Sequence, residues 1–588
     1  MEYMVVDIET YDPGLQEHGS GVYRKDGYII GIAIYQPGTM KEYFHLVGEK
    51  KASNTEKLKD ILSLPITKVG ANFIYDIDWI QNWLGLRVNG RLEDVQSREC
   101  LIDAYSYSYS LDNIAKKYGL PGKEDAEIKA YCASRGWTGA PQTHLYRMPE
   151  DTVARYALGD VQVTGDIFER QQAILDREEL NTVNDLECGL VPLLVDMRRN
   201  GIRVNEQKRQ QASDKLISEY KIEQSAFDNK YGVTNVNSGA DLQRIFKKEG
   251  IPIATTDKGN ASFKSEILNG LDHPIGREIV KLRTYKTIVN NFVEGSLVEY
   301  QINGRIHATF YPLRKDEGGT VTGRFACQDP NLQQIPAKKE KHGSLIRDIF
   351  EPEENCFYGA PDYSQIEYRL LVHFATGPGS EEVRKKFNDN PRTDYHQYVM
   401  DMTGLDRKHA KNFNFGTVYC MGKATMQAKF GFTAAQCDSL TTQYYDAMPF
   451  IKPTRNAIIA TAKKRGYLKT ILGRRARVSE DIRQSGKEYK LVNYLIQGSA
   501  ADIMKLGMLR AYRAGVFDIL TPHITVHDEM GLSIPKTKIG LEAYHECVDI
   551  MQNCVQLSVP LRVDDDFGSS WGDLIEAPDW AIYSKEFL

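Results

Sequence analysis

The chain has 588 residues, 41% hydrophobic and 26% charged, with a net charge of −5. That length exceeds one core and implies roughly three or four compact units, and the absence of any run of about 18 apolar residues excludes a membrane-spanning helix. The charge does not announce a nucleic-acid binder, whose footprint is normally basic, but it leaves room for a local basic channel. Nine cysteines without Cys-x-x-Cys spacing argue for reduced thiols and against a zinc site or disulfide framework. The amino terminus has no basic region followed by an apolar one, so action in a cytosol is expected.

Residues 3 to 8 form an apolar strand that carries Asp7 and then Glu9, and Tyr28 to Tyr35 supplies a second strand. The segment Lys68 to Asp76 is a short strand entering a helix, with Asn72 before it and Asp76 in its first turn. Ser110-Leu111-Asp112-Asn113-Ile114-Ala115 is a further distinct segment to which no chemistry is assigned. Tyr156 and Asp160 are four residues apart and share one helix face. Singly, these acids read as turn or cap residues, and the Tyr-Asp pair as a surface pair. From Leu186 to Met197 runs a helical stripe that ends at Asn200-Gly201, where glycine is the expected terminator.

Residues 205 to 300 are charged and largely helical, with Lys-rich faces and a turn-like Thr255 to Asn260. Thr322-Gly323-Arg324 and Asn331 to Pro336 are loop-like. Phe357 to Ala360 lead as a strand into Asp362, and the periodic Ile366, Leu370, Leu371 and Phe374 follow as a helix. An aspartate at such a junction is most simply a helix cap. In Arg407 to Tyr419, the residues Arg407, Lys411, Phe415 and Tyr419 recur every four positions and form a slowly winding stripe, cationic at one end and aromatic at the other. An exposed amphipathic helix is its plain reading. Asn493 and Gln497 lie on a later helix. Ile524 to Ile534 alternates around His527-Asp528 as a tight hairpin does, and Val559 to Gly572 closes the pattern.

Together, DYSQIEYR (Asp362 to Arg369) and VHDE (Val526 to Glu529) resemble motifs A and C of the family A DNA polymerases, the group of bacterial DNA polymerase I and many phage replicative enzymes. Arg407 to Tyr419 matches motif B. Asp7-x-Glu9, Asn72-x-x-x-Asp76 and Tyr156-x-x-x-Asp160 resemble the three motifs of the DEDD 3′ to 5′ exonucleases. The resemblance spans nearly the whole chain and implies an α/β and α+β multidomain fold. A ribonuclease H-like exonuclease domain over 1–180 is followed by a right-hand polymerase domain over 181–588. Within the latter, palm is expected at 181–204, 311–375 and 491–588, thumb at 205–310 and fingers at 376–490. With no chain before the exonuclease domain and only a thumb-sized stretch after Gly201, neither a 5′ nuclease nor a processivity insertion is expected, which favours a compact phage-type enzyme.

The resemblance also implies two Mg²⁺ ions per active site, with Mn²⁺ able to substitute, roughly 3.5 to 4 Å apart. Asp362, Asp528 and Tyr363 are the expected ligands of the polymerase centre. Asp7, Glu9 and Asp160 are expected to hold the first exonuclease ion and Asp76 the second through water, while Tyr156 orients the nucleophile. Arg407, Lys411, Phe415, Tyr419, Glu367 and His527 would bind the dNTP, with Lys411 also protonating pyrophosphate. Glu367 and Tyr419 would close over the sugar and exclude a 2′-hydroxyl. Arg324, Gln497 and Asn493 would contact the primer-template minor groove. The implied partners are primer-template DNA, dNTPs and a phage helicase or primase, with the chain monomeric, off the membrane and in the host cytoplasm. Three alternatives stand beside this reading: a 3′ to 5′ repair exonuclease with a weak polymerase half, a single-subunit RNA polymerase, which lacks the equivalent of Glu367, and a noncatalytic DNA clamp. Two departures from the family pattern are Pro361, expected to make the motif A strand bulge or end, and Cys420 in place of a glycine, which points to a pocket suited to an unusual base or template geometry.

Overall fold

The structure, a computed structural model, describes residues 2–575 except 124, 233–234, 256–258, 315–318, 420 and 485–486. Its first sheet has the order β3-β2-β1-β4-β5, formed by β1 (Tyr3–Tyr11), β2 (Tyr28–Gln36), β3 (Met40–His45), β4 (Thr67–Gly70) and β5 (Leu92–Asp94). The central β1 runs antiparallel to β2 and parallel to β4. Val5 and Val6 are fully buried on its two faces, as a strand covered from both sides requires. Helix α1 (Phe73–Trp83) makes the crossover from β4 to β5. The long α2 (Glu150–Arg177) packs across β1 and β2.

After a short turn, α3 (Asn181–Asn200) carries the chain out of this unit, and Gly201, with φ of 59°, ends it as its sequence position foretells. Buried ion pairs fasten α3 on both sides: Arg198 to Asp78 of α1 at 3.0 Å, and Glu187 to Lys505 at 2.7 Å. Arg474 joins Glu187 to Asp502 in the same buried group. Breaking one partner of such a pair leaves an uncompensated charge, at a cost of about 3–5 kcal/mol.

Helices α4 (Glu206–Tyr231) and α5 (Pro274–Ile288) follow. Phe227, Tyr231, Ile279 and Leu282 belong to a separate apolar cluster, while Ala212, Leu216, Tyr285 and Ile288 join the main core; Lys215, Lys221 and Lys230 face water. Thr255 bridges to Ala261; 256–258, in the middle of the turn-like stretch, lie outside the described residues.

The second sheet is antiparallel throughout, in the order β7-β8-β6-β9-β10. Its strands are β6 (Cys356–Tyr363), β7 (Thr521–Val526), β8 (Glu529–Pro535), β9 (Val563–Gly568) and β10 (Leu574–Ile575). Helix α6 (Ile366–His373) follows β6 after Gln365, which adopts a left-handed φ of 52°. Helices α7 (Arg407–Val418) and α8 (Tyr489–Arg513) complete the frame of the site. Pro361, expected to make β6 bulge or end, does neither. β6 pairs with β8 from Cys356↔Pro535 to Gly359↔Leu532 and, past Ala360 and Pro361, resumes the same register at Asp362↔Glu529. Pro361 itself lies opposite Asp565 of β9. Proline removes a single donor from the ladder, and the unbroken pairing with β9 holds the strand together past it.

Candidate active sites

Two groups of carboxylates stand at the exits of the two sheets. In the first, Asp7 and Glu9 are two residues apart on β1 and so point to one face. A shift in the β1–β2 register between Glu9 and Thr10 bends the strand just beyond them, as bulges beside functional sites do. Asp94 accepts the main-chain N–H of Phe73 at 3.0 Å and holds the start of α1. This places Asp76 against β1, where its Oδ1 accepts the Ile8 N–H at 3.0 Å. From α2, Tyr156 and Asp160 enter on the same buried face.

One oxygen each of Asp7, Glu9 and Asp160 lie within 4.8 Å of one another. Burial, with repulsion from neighbouring acids of the set, pushes Asp7 up to about 7 and raises Glu9 and Asp76, and burial raises Asp160. Asp160 Oδ1 is buried without a hydrogen-bond partner among the described residues. Buried acids that repel one another and leave oxygens unpartnered fit a divalent cation, which such oxygen donors favour. The Lys123 ammonium pairs with Asp160 and donates to the Tyr156 hydroxyl at 3.1 Å. Nothing in the sequence pointed to Lys123: it is a single lysine outside every motif.

In the second group, the β7–β8 hairpin turns through His527 and Asp528, with His527 at φ of 61°. Asp362 on β6 lies opposite Glu529 on one side and Asp564 on the other. The Tyr363 N–H donates to the Asp528 carbonyl at 3.2 Å, so the two aspartates far apart in sequence come together at one end of the sheet's strands. Burial, then Asp528, Glu529 and Asp564, raise Asp362 well above the usual carboxylate range, and burial pushes Asp528 up to about 6. Lys411 opposes both shifts and Arg324 that of Asp528, so both cations reach this centre. Asp362 Oδ1 is buried and unpartnered among the described residues, again as a cation ligand would be.

The Tyr363 phenol is buried and donates to the Met551 carbonyl at 2.8 Å, so any part of this residue in holding a cation falls to its main-chain carbonyl. Glu529 accepts from Trp571 Nε1 at 2.6 Å, and Asp564 pairs with Arg562 at 2.8 Å. Both acids stood in quoted segments, but only the strand pairing reveals that they flank Asp362.

Around this centre, Glu367 in the first turn of α6 accepts from Tyr419 Oη and Arg324 Nη2, each at 2.8 Å. Arg324, expected along DNA, thus stands beside the proposed sugar pocket. On α7, Lys411 is exposed, Arg407 pairs with Asp394, and Phe415 lies parallel to Tyr419 with centroids 6.1 Å apart. Asn493 and Gln497 are half-buried one turn apart on α8. A Cβ on the adjacent Gly498 would stand 3.3 Å from the Thr322 carbonyl, so α8 runs hard against the turn that carries Arg324. Cys420 lies outside the described residues.

Residues 206–573 match the family model described as DNA polymerase family A, and residues 16–176 the one described as 3′-5′ exonuclease. The sequence is 30% identical to a DNA-directed DNA polymerase of Pseudomonas phage M6, over 97% of this chain and 94% of that one. It is 24% identical to DNA polymerase DpoZ of Vibrio phage phiVC8, over 97% and 96%. Against DNA polymerase I of Geobacillus stearothermophilus the identity is 29%, over 84% of this chain but 56% of that one. The POL domain of Pol1 from M. smegmatis, solved in complex with DNA primer-template and dNTP, superposes with a TM-score of 0.78 at 22% identity, covering 97% of this chain and 95% of its own, a likeness of fold.

Proposed function

The chain belongs to DNA polymerase family A and carries a 3′-5′ exonuclease domain, and on that premise we propose how its two carboxylate groups divide the work. The group on β6 and the β7–β8 turn extends a primer with dNTPs on a DNA template. The group on β1, α1 and α2 trims the primer's 3′ end. The observation that carries this reading is that two sets of buried, mutually repelling acids, each with an oxygen unpartnered among the described residues, are built around separate sheets.

Family A polymerases and their exonucleases use divalent metal ions. We assign two Mg²⁺ to each centre, held by Asp362, Asp528 and the Tyr363 carbonyl in one and by Asp7, Glu9, Asp160 and Asp76 in the other. Bound there, the ions supply Lewis acidity that ionises the attacking oxygen and neutralises the leaving one. The chain's own groups do the rest. Arg407 and Lys411 bind the triphosphate by charge-assisted hydrogen bonds, and Lys411 donates the proton that pyrophosphate takes as it leaves. Phe415 packs on the nucleotide, with His527 at its edge. Glu367 and Tyr419, tied to each other, wall off the sugar C2′ position and favour dNTPs over NTPs. Arg324, Gln497 and Asn493 follow the minor groove. In the exonuclease centre Tyr156 orients the attacking water.

In the same reading the exonuclease unit covers 1–180 and the polymerase 181–588, with the thumb at 205–310 and the fingers at 376–490. The natural role is phage DNA replication in the host cytoplasm, by a monomer that works beside a helicase or primase. A labelled primer-template with Mg²⁺ tests the assignment. Extension with dNTPs, trimming without nucleotide and poor use of NTPs are expected. Efficient extension with NTPs would favour an RNA polymerase, and trimming alone a repair nuclease.

A further inference from the structure

Among the described residues, Lys123 is a cation of the exonuclease centre with no assigned task. Its ammonium sits between Tyr156 Oη, at 3.1 Å, and the Asp160 carboxylate, and its side chain keeps 31% of its exposure. It therefore lies on the open side of the acids, where a DNA end must approach. Its charge also favours the ionised forms of Asp7, Glu9 and Asp160 alike.

The lysine is delivered there by a built support. Asp112, in the first turn of the helix Leu111–Lys117, accepts the Lys123 main-chain N–H at 3.2 Å. Its other oxygen accepts from Lys116 at 2.6 Å. A Cβ on Gly122 would stand 2.4 Å from Asp112 Oδ1, so glycine permits this close approach. The segment Ser110 to Ala115, distinct in the sequence but without an assigned chemistry, thus anchors a loop whose tip reaches the acids.

We propose that Lys123 is a substrate-contacting residue of the exonuclease centre, donating to a non-bridging oxygen of the phosphodiester that is cut. The proposal rests on the exonuclease reading of these acids. Four carboxylates and two divalent cations sum to zero, so the phosphodiester and the attacking hydroxide arrive with their negative charge unbalanced. A fixed cation aimed at that charge as it grows stabilises the transition state more than the ground state. Once cations occupy the Asp160 oxygens, the ammonium loses its present partner, and the phosphate is the anion beside it.

The test uses the full chain and a single-stranded oligonucleotide. With saturating Mg²⁺, Lys123→Ala should slow single-turnover excision on the order of 10²-fold, the effect of losing one transition-state donor, and Lys123→Arg should recover part of it. With Ca²⁺ in place of Mg²⁺, oligonucleotide binding by Lys123→Ala should weaken, and its log Kd against log salt should flatten by about 0.7, the signature of one lost contact to single-stranded phosphate. Unchanged excision, or faster excision at lower Mg²⁺ with the slope intact, would overturn the proposal and leave Lys123 a mere counter-ion. Thermal midpoints report whether the variants fold, and Lys123→Gln replaces the alanine if that one does not. Asp7→Ala guards the premise: excision that survives it would sink the exonuclease reading itself, whatever Lys123 does.

Discussion

Glu367 offers the sharpest perturbation of substrate choice. Its carboxylate is 18% exposed and takes two hydrogen bonds of 2.8 Å, from Tyr419 and Arg324. Hydrogen bonds to a charged group contribute about 1.5–3 kcal/mol each, so the side chain is held firmly as a wall. Glu367→Ala removes that wall and leaves space where a ribose hydroxyl would project. Rejection of one small group by a tight pocket is worth about 1–3 kcal/mol, or roughly 10–200-fold. The variant should therefore raise kcat/KM for an NTP relative to its dNTP by that factor, measured by single-nucleotide insertion opposite a matched template base. Glu367→Gln keeps the volume and an acceptor for Tyr419, so it should keep most of the discrimination. Unchanged discrimination in the alanine variant, or equal loss in both, would refute the assignment of this side chain as the sugar gate.

Lys411→Ala should slow dNTP insertion about 10²–10⁴-fold, the usual range for a lost general acid, in rapid-quench extension assays, while trimming of single-stranded DNA keeps its rate. In metal-free protein, Asp7 at about 7 and Asp528 at about 6 lie above their unfolded values near 3.8. The folded state then binds more protons between those values, so stability falls as pH rises from about 4 through 7. Melting in EDTA should show that fall, and Mg²⁺, which needs the ionised acids, should raise the Tm more at pH 8 than at pH 5; a Mg²⁺ effect independent of pH would contradict this. A Cβ on Gly531 would stand 2.0 Å from the Tyr358 hydroxyl, so Gly531→Ala should cost about 1–3 kcal/mol by overpacking. Because that hydroxyl is buried without a partner among the described residues, Tyr358→Phe should restore part of the lost Tm; no rescue would show that the clash lies elsewhere.

Much of the frame could be read from local pattern. The strand into Asp362, the His527-Asp528 turn, Asp76 in the first turn of α1 and the Gly201 terminator each depend on periodicity or on one backbone preference, and all stand where expected. What could not be read depends on contacts between distant segments. The flanking of Asp362 by Glu529 and Asp564 is a matter of strand register, and the meeting of Arg324 with Glu367 is a matter of tertiary packing. Lys123 needed a loop anchored by Asp112 before it could reach Asp160. Pro361 misled because a proline weakens a strand on average, whereas here continuous pairing with β9 carries it, and β8 rejoins in the same register at Asp362.

Two centres, one built on each sheet, should work independently. Primer extension and single-strand trimming by Asp7→Ala and Asp528→Ala, run side by side in Mg²⁺, address this most directly. Asp7→Ala should lose trimming and keep extension, and Asp528→Ala should do the reverse. Loss of both activities in either variant, or survival of extension without the Asp528 carboxylate, would contradict it.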